Sequence, residues 1–167
     1  MSNWYVLHVR TGEETDALTV LRKSLPQARG IVPQKTMREK KDGDWKTVIR
    51  TIFPGYVFVY LELDTPSYYK IKQIPGLIRV LGNEDGPSPV PEDEMQVVLR
   101  LARDGDPLGI SEVYFEGSKV KVKSGALQGL EGQIIKVDAR RYRAKVNISL
   151  MGEPRIVELG INVIEKI

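Results

Sequence analysis

KVKVKSGALQGLEGQIIKVDARRYRAKVNISL, residues 119–150, alternates lysine with valine, spends three glycines within eight residues, and returns to alternation with arginine and lysine on the polar beat. Successive side chains of a strand point to opposite faces. Val120 and Val122 therefore share one face, and Lys119, Lys121 and Lys123 share the other. Farther on, Ala144, Val146 and Ile148 alternate with Arg143, Lys145 and Asn147. A helix would scatter these apolar residues around its circumference. The pattern predicts five short strands, near 119–123, 132–138, 141–149, 155–159 and 163–166, forming a small all-β barrel. Gly125, Gly129 and Gly132 read as turns and close backbone approach. Their spacing is not that of a P-loop, and no Gly-Lys-Ser/Thr follows.

The valines supply the barrel core, so the basic beats are left for another role. Residues 117–167 hold ten Lys/Arg and five Asp/Glu, a net of +5, whereas the rest of the chain nets −2 against an overall +3. Lys121, Lys123, Arg143 and Lys145 lie on the polar beats, and Arg140 and Arg141 sit at a turn. Such residues beside Tyr142 suit phosphate contact with base stacking. The same residues also suit a solvated surface that discourages edge pairing, and pattern alone leaves both readings open.

Upstream, WYVLHV (4–9) reads as a strand. TGEETDALTVLRKSLP reads as a helix with Thr11 and Glu14 forming a capping box and Pro26 ending it. GIVPQKTMREK is extended, KDGDW turns, and KTVIRT returns as its partner. PGYVFVYLEL has the unbroken apolar run of a central strand. TPSYYKIKQIPG reads as a short helix begun by Thr65, LIRVLG as a strand, and EDEMQVVLRLARDG as a helix with Met95, Val98, Leu99 and Ala102 inside. The order gives an α+β sandwich with an antiparallel sheet over residues 1–104. A Gly/Pro-rich linker is expected over 105–113, then the barrel over 114–167.

Cysteine is absent, which excludes disulfides, thiolate metal sites and cysteine nucleophiles. The start lacks the pattern of a signal peptide. The longest apolar run, YVFVYL, falls far short of the ~20 residues that span a bilayer. A soluble cytoplasmic monomer without membrane contact is expected. The lone histidine, His8, lies within a strand, and no nucleophile, base and orienter can be assembled. The reading is a non-enzyme with no cofactor, no metal site and no catalytic residue.

WYVLHVRTGEE, IVPQ, IFPGYVFV and IPGLIRVLG resemble, in order and spacing, the N-terminal (NGN) domain of the NusG family of transcription elongation factors. EGSKVKVKSGALQGLEGQIIKVD and VELGINVIEKI resemble that family's C-terminal SH3-like KOW barrel. The resemblance implies docking on the clamp helices of RNA polymerase's largest subunit through Trp4, Tyr5, Ile52, Phe53, Tyr56 and Tyr68. It also turns the segment 37–46 and Arg50 toward upstream DNA. Housekeeping members carry an Ile-Phe-Gly-Arg tetrad for Rho and a ribosomal protein, where this chain has Leu150-Met151-Gly152-Glu153. That departure, with RTGEE and the basic strands, is most similar to the specialised LoaP branch. It implies a processive antiterminator whose KOW domain binds an RNA hairpin through Lys121, Lys123, Arg140, Arg141, Arg143 and Lys145. A housekeeping factor with protein partners is the alternative, and a ribosome-associated KOW protein a remote one.

Overall fold

The computed structural model describes residues 1–165. In chain order the elements are β1 (Asn3–Val9), α1 (Glu14–Ser24), β2 (Arg29–Ile31), β3 (Gln34–Lys41), β4 (Asp44–Thr51), β5 (Tyr56–Leu61), α2 (Thr65–Lys72), β6 (Leu77–Val80), β7 (Gly82–Asn83), β8 (Gly86–Pro87) and α3 (Glu92–Ala102). They continue with β9 (Ser111–Glu116), β10 (Lys119–Ser124), β11 (Ile134–Asp138), β12 (Arg143–Leu150) and β13 (Glu153–Val163). The chain divides into two units: residues 1–32 with 53–96, and residues 33–52 with 97–167.

The first unit is an α/β sandwich built on an antiparallel sheet in the order β2-β5-β1-β6. The apolar run at 56–61 is an interior strand, as expected, with Val57, Phe58 and Val59 fully buried. Alternation along β1 sends Tyr5, Leu7 and Val9 to the face that packs against Ala17, Leu18 and Leu21 of α1. Gly30 of β2 allows that packing, since a Cβ there would run into the Leu18 side chain. Trp4, Val6 and His8 point to the opposite face, directly across from Tyr60, Phe58 and Tyr56.

Helix α1 starts differently from expectation. Its N-cap is Glu13 and no side chain caps it. The buried Glu14 carboxylate instead accepts hydrogen bonds from Gly12 N (2.7 Å) and Gly55 N (2.8 Å), pinning the 53–55 turn to the start of the helix. Asp64 rather than Thr65 caps α2, accepting from Ser67 N at 2.8 Å, and hydrogen bonding from the Ser67 side chain, then from its backbone N, holds its carboxyl below the usual range. In α3, Leu101 is fully buried and Leu99 only half-buried.

The second unit holds a curled five-stranded sheet in the order β10-β9-β13-β12-β11 and the hairpin β3–β4. The extended segment 30–40 is two strands in two sheets, broken at Pro33, which cannot donate a ladder bond and whose carbonyl accepts from Ile52 N at 2.9 Å. Asp42 and Gly43, both at positive φ, close the hairpin as a two-residue type I′ turn requires. Residues 111–113, read as linker, begin β9, with Val113 fully buried. Leu108 is buried too, donating to Gln34 O (2.8 Å) and accepting from Thr36 N (2.7 Å). Few apolar residues and two glycines concealed this element, because strand pairing and one deep leucine outweigh local composition.

Two further differences concern the barrel. Residues 139–141 form a 3₁₀ turn, so the strand begins at Arg143 and not 141. The expected strands at 155–159 and 163–166 are one long β13, which pairs antiparallel with β12 along its first part and parallel with β9 at its end. Residues 164 and 165 fall beyond that strand, and residue 166 of the expectation lies outside the described residues. The inner layer is Val113, Leu127, Ala144, Val146, Ile148, Leu150, Val157, Leu159 and Ile161, all at most 5% exposed.

Candidate functional sites on the two units

On the C-terminal sheet the alternation holds: Lys119, Lys121 and Lys123 are exposed while Val120 and Val122 turn inward, half-buried. On β12, Lys145 is exposed and stands directly opposite Lys136 of β11 on one side and Glu158 of β13 on the other. Arg140 and Arg141 are exposed on the 3₁₀ turn. Asp138 accepts from Arg141 N at 3.2 Å and lies 3.8 Å from the Arg141 guanidinium. Lys136 is a basic residue the sequence reading passed over. Its sign was the cross-strand register, which no single strand shows.

Arg143 has a different fate. It donates to Arg38 O at 2.8 Å and pairs with Glu158 at 3.5 Å. Tyr142 adopts a left-handed backbone (φ 57°), which costs a bulky side chain about 1–2 kcal/mol. Its ring meets Trp45 edge-on at 4.9 Å and lies under the Arg38 guanidinium at 4.7 Å. Arg38 also donates to Asn162 Oδ1 at 3.0 Å. Lys35, buried on the same hairpin, donates to Glu158 O. Burial lowers its pKa to about 8, reinforced by Arg143 and opposed by Glu158. Gly160 completes the seat: a Cβ there would stand 2.6 Å from Thr36 O. The hairpin 34–51 thus occupies Tyr142 and Arg143, two of the residues read as nucleic-acid contacts. Its turn end keeps Lys40, Lys41 and Lys46 exposed, and Arg50 makes a two-pronged bond to Glu39 at 2.7 and 2.8 Å.

The tetrad Leu150–Glu153 is the turn between β12 and β13, with Met151 (φ 55°) and Gly152 (φ 76°) at its tip. Leu150 is core, and Glu153 pairs with Arg155 at 3.3 Å.

Alternation splits the six residues read as a docking patch. Trp4 and Tyr56 lie on the face opposite α1, where Trp4 meets Tyr60 at 5.3 Å and Tyr56 stacks on His8 at 5.2 Å. Tyr5 and Tyr68 are brought together elsewhere, lining a 410 Å³ cleft with Leu63, Tyr69 and Pro87. Phe53 is buried edge-on against Phe58 at 5.5 Å, and Ile52 is fully buried. Tyr69 and Tyr60, at 64% and 41% exposure, are the more open aromatics. The wide spacing of the motif pieces carried no information about which face each ring takes.

Among the described residues, no cluster of three or more His, Cys, Asp or Glu could hold a metal, and no helix is long and apolar enough to cross a membrane. An α/β sandwich joined to a small curled β-sheet with a basic exterior defines a binding adaptor, working through surfaces. The family model described as "Transcription termination factor nusG" matches residues 2–99, and the chain belongs to the NusG family of non-catalytic transcription elongation factors. The transcription termination/antitermination protein NusG of Halalkalibacterium halodurans is 30% identical over 175 residues, covering 99% of this chain and 98% of that protein. The NusG of Haemophilus influenzae is 30% identical over 173 residues, covering 98% and 94%. A Thermotoga maritima NusG structure solved for its domain interaction shares the fold, with TM-score 0.65 and 24% identity over 96% of this chain and 94% of that one. The α/β sandwich and the curled C-terminal sheet accordingly match the NGN-plus-KOW architecture.

Proposed function

We propose that this chain is a LoaP-like processive antiterminator: its N-terminal NGN part docks on the clamp helices of RNA polymerase, and its KOW part, which opens with β9, binds a structured leader RNA. One observation carries the RNA reading. Lys136 and Lys145 stand directly opposite each other on the outer face. Like charges so placed destabilise a sheet, and an anion there would offset the cost. Lys121, Lys123, Arg140 and Arg141 are exposed as well and complete the proposed contact set. Arg143 joins it only when it leaves Arg38 and Glu158. The aromatics open to polymerase are Trp4, Tyr56 and Tyr68 of the original six, with Tyr60 and Tyr69 beside them. Glu153, tied to Arg155, puts a negative charge where housekeeping relatives need arginine, which favours RNA over Rho as the KOW partner.

The test is selection of hairpins from a structured RNA pool by the full chain, followed by titration across a salt series. Each phosphate contact adds roughly 0.7–0.9 to the slope of log affinity against log salt. Arg140→Glu with Lys145→Glu is expected to lower affinity for the selected hairpin at least tenfold while polymerase binding persists. Equal binding of every nucleic acid, unaffected by that pair of substitutions, overturns the RNA reading and favours a KOW domain that recruits proteins.

A further inference from the structure

The C-terminal sheet curls but does not close. Strands β10 and β11 are its two ends, and among the described residues neither has a partner on its outer edge in the sheet order. A cleft of about 470 Å³ lies between them, lined by both strands and by Phe115, Ser118, Glu131 and Gly132. Its apolar lining is Phe115, Val120, Ile134, Ile135 and Val137. Phe115 stands opposite Val120 on the inward face, yet it is 45% exposed. Val120 and Val137, also inward, are half-buried, and Ile135, at the bulge between Ile134 and Lys136, is 58% exposed. A closed barrel would cover these side chains and satisfy both edges. Here two open edges flank an apolar floor.

We infer that this seam is a docking groove for an extended peptide that adds a strand to β10 or β11, with apolar residues on one beat and acids on the other. Main-chain bonding to an open edge supplies affinity, and alternate side chains supply selectivity. The apolar beat meets Phe115, Val120, Ile135 and Val137. The acidic beat meets Lys119, Lys121 and Lys136, against which the lining offers only Glu131. A nucleic acid would find the lysines but waste the strand edges and the aliphatic floor. The groove is separate from the Leu150–Glu153 turn and from the surface seated by the hairpin; it shares Lys121 and Lys136 with the proposed RNA face, whereas Arg140 and Lys145 lie outside its lining and separate the two readings.

The experiment is panning of a random decapeptide display library on the immobilised full chain, then amide hydrogen exchange of the full chain with a selected peptide. The expected peptides alternate aliphatic or aromatic residues with Asp or Glu and slow exchange of β10 and β11 amides at least tenfold. Lys121→Glu with Lys136→Glu, both exposed, is expected to weaken them at least tenfold, whereas Arg140→Glu leaves them unchanged. Because wild-type exchange reports the site directly, the result does not hang on the variant's stability. Failure to enrich acidic alternating peptides overturns the inference. So does protection outside the seam, or protection of the seam by the selected hairpin RNA and by no peptide.

Discussion

Strands β10 and β12 read almost alike, each alternating aliphatic with basic residues, yet the fold uses them in opposite ways. Strand β12 lies inside the sheet. Its apolar beat is sealed, with Val146 and Ile148 at most 2% exposed, and its first arginine is spent on the hairpin and Glu158. Strand β10 is an end strand, with its valines half-covered and its lysines in solvent. Alternation assigns faces, but the number of neighbouring strands decides how deep one face lies and whether the other is free. A basic residue is available to a partner only where the fold has not already claimed it.

The largest effect that separates the strands is in their cores. Ile148→Ala is expected to cost about 2–4 kcal/mol, because it leaves a cavity among sealed neighbours. Val122→Ala on β10 is expected to cost under about 1 kcal/mol, since half of its burial is missing already. Denaturant unfolding of both variants checks the ratio, and equal losses would dissolve the distinction.

Next in size is the hairpin seat. Gly160→Val places side-chain atoms against Thr36 O and is expected to cost about 1–3 kcal/mol, shifting Trp45 fluorescence as the ring leaves Tyr142. Amide shifts of β10 should remain in place. Arg38→Ala, which removes the cation over Tyr142 and the bond to Asn162, is expected to cost about 1–2 kcal/mol by the same readout.

A smaller, pH-linked effect follows from Lys35. Unfolded, the amine keeps its proton to near its ordinary 10.5, whereas the folded chain releases it at about 8. Between those values the unfolded state binds more protons, so stability rises with pH across that window and is flat below it. Lys35→Met should abolish the rise in unfolding free energy measured from pH 8 to 10. Last, Lys121→Ala on the open strand is expected to change stability by no more than about 0.5 kcal/mol.

The α+β sandwich and the curled sheet were legible because their signals are periodic: the apolar run at 56–61, the α1 stripe, and the two alternating strands. What escaped was whatever depends on register or on distant segments. Glu14 reads locally as a capping-box acid, yet its carboxylate binds Gly55 N, 41 residues away. Leu108 reads as linker but is held by Gln34 and Thr36. Trp4 and Tyr5 are neighbours in sequence and opposite in the sheet, so a docking patch drawn through both crosses two faces. Lys136 becomes notable only when β11 is laid against β12. Arg143 shows the converse, a residue with the right chemistry and pattern whose donors are already engaged by the hairpin, Arg141 O and Glu158.

The most direct test reverses the charge of the free basic strand in a single RNA titration. The full chain and its Lys121→Glu, Lys123→Glu variant are titrated with one selected hairpin over a salt series. The account predicts at least a tenfold loss of affinity and a salt slope shallower by roughly one and a half, the share of two phosphate contacts. Unchanged affinity and slope would contradict it, and would mean that the exposed lysines of β10 are solvated surface rather than part of an RNA-binding face.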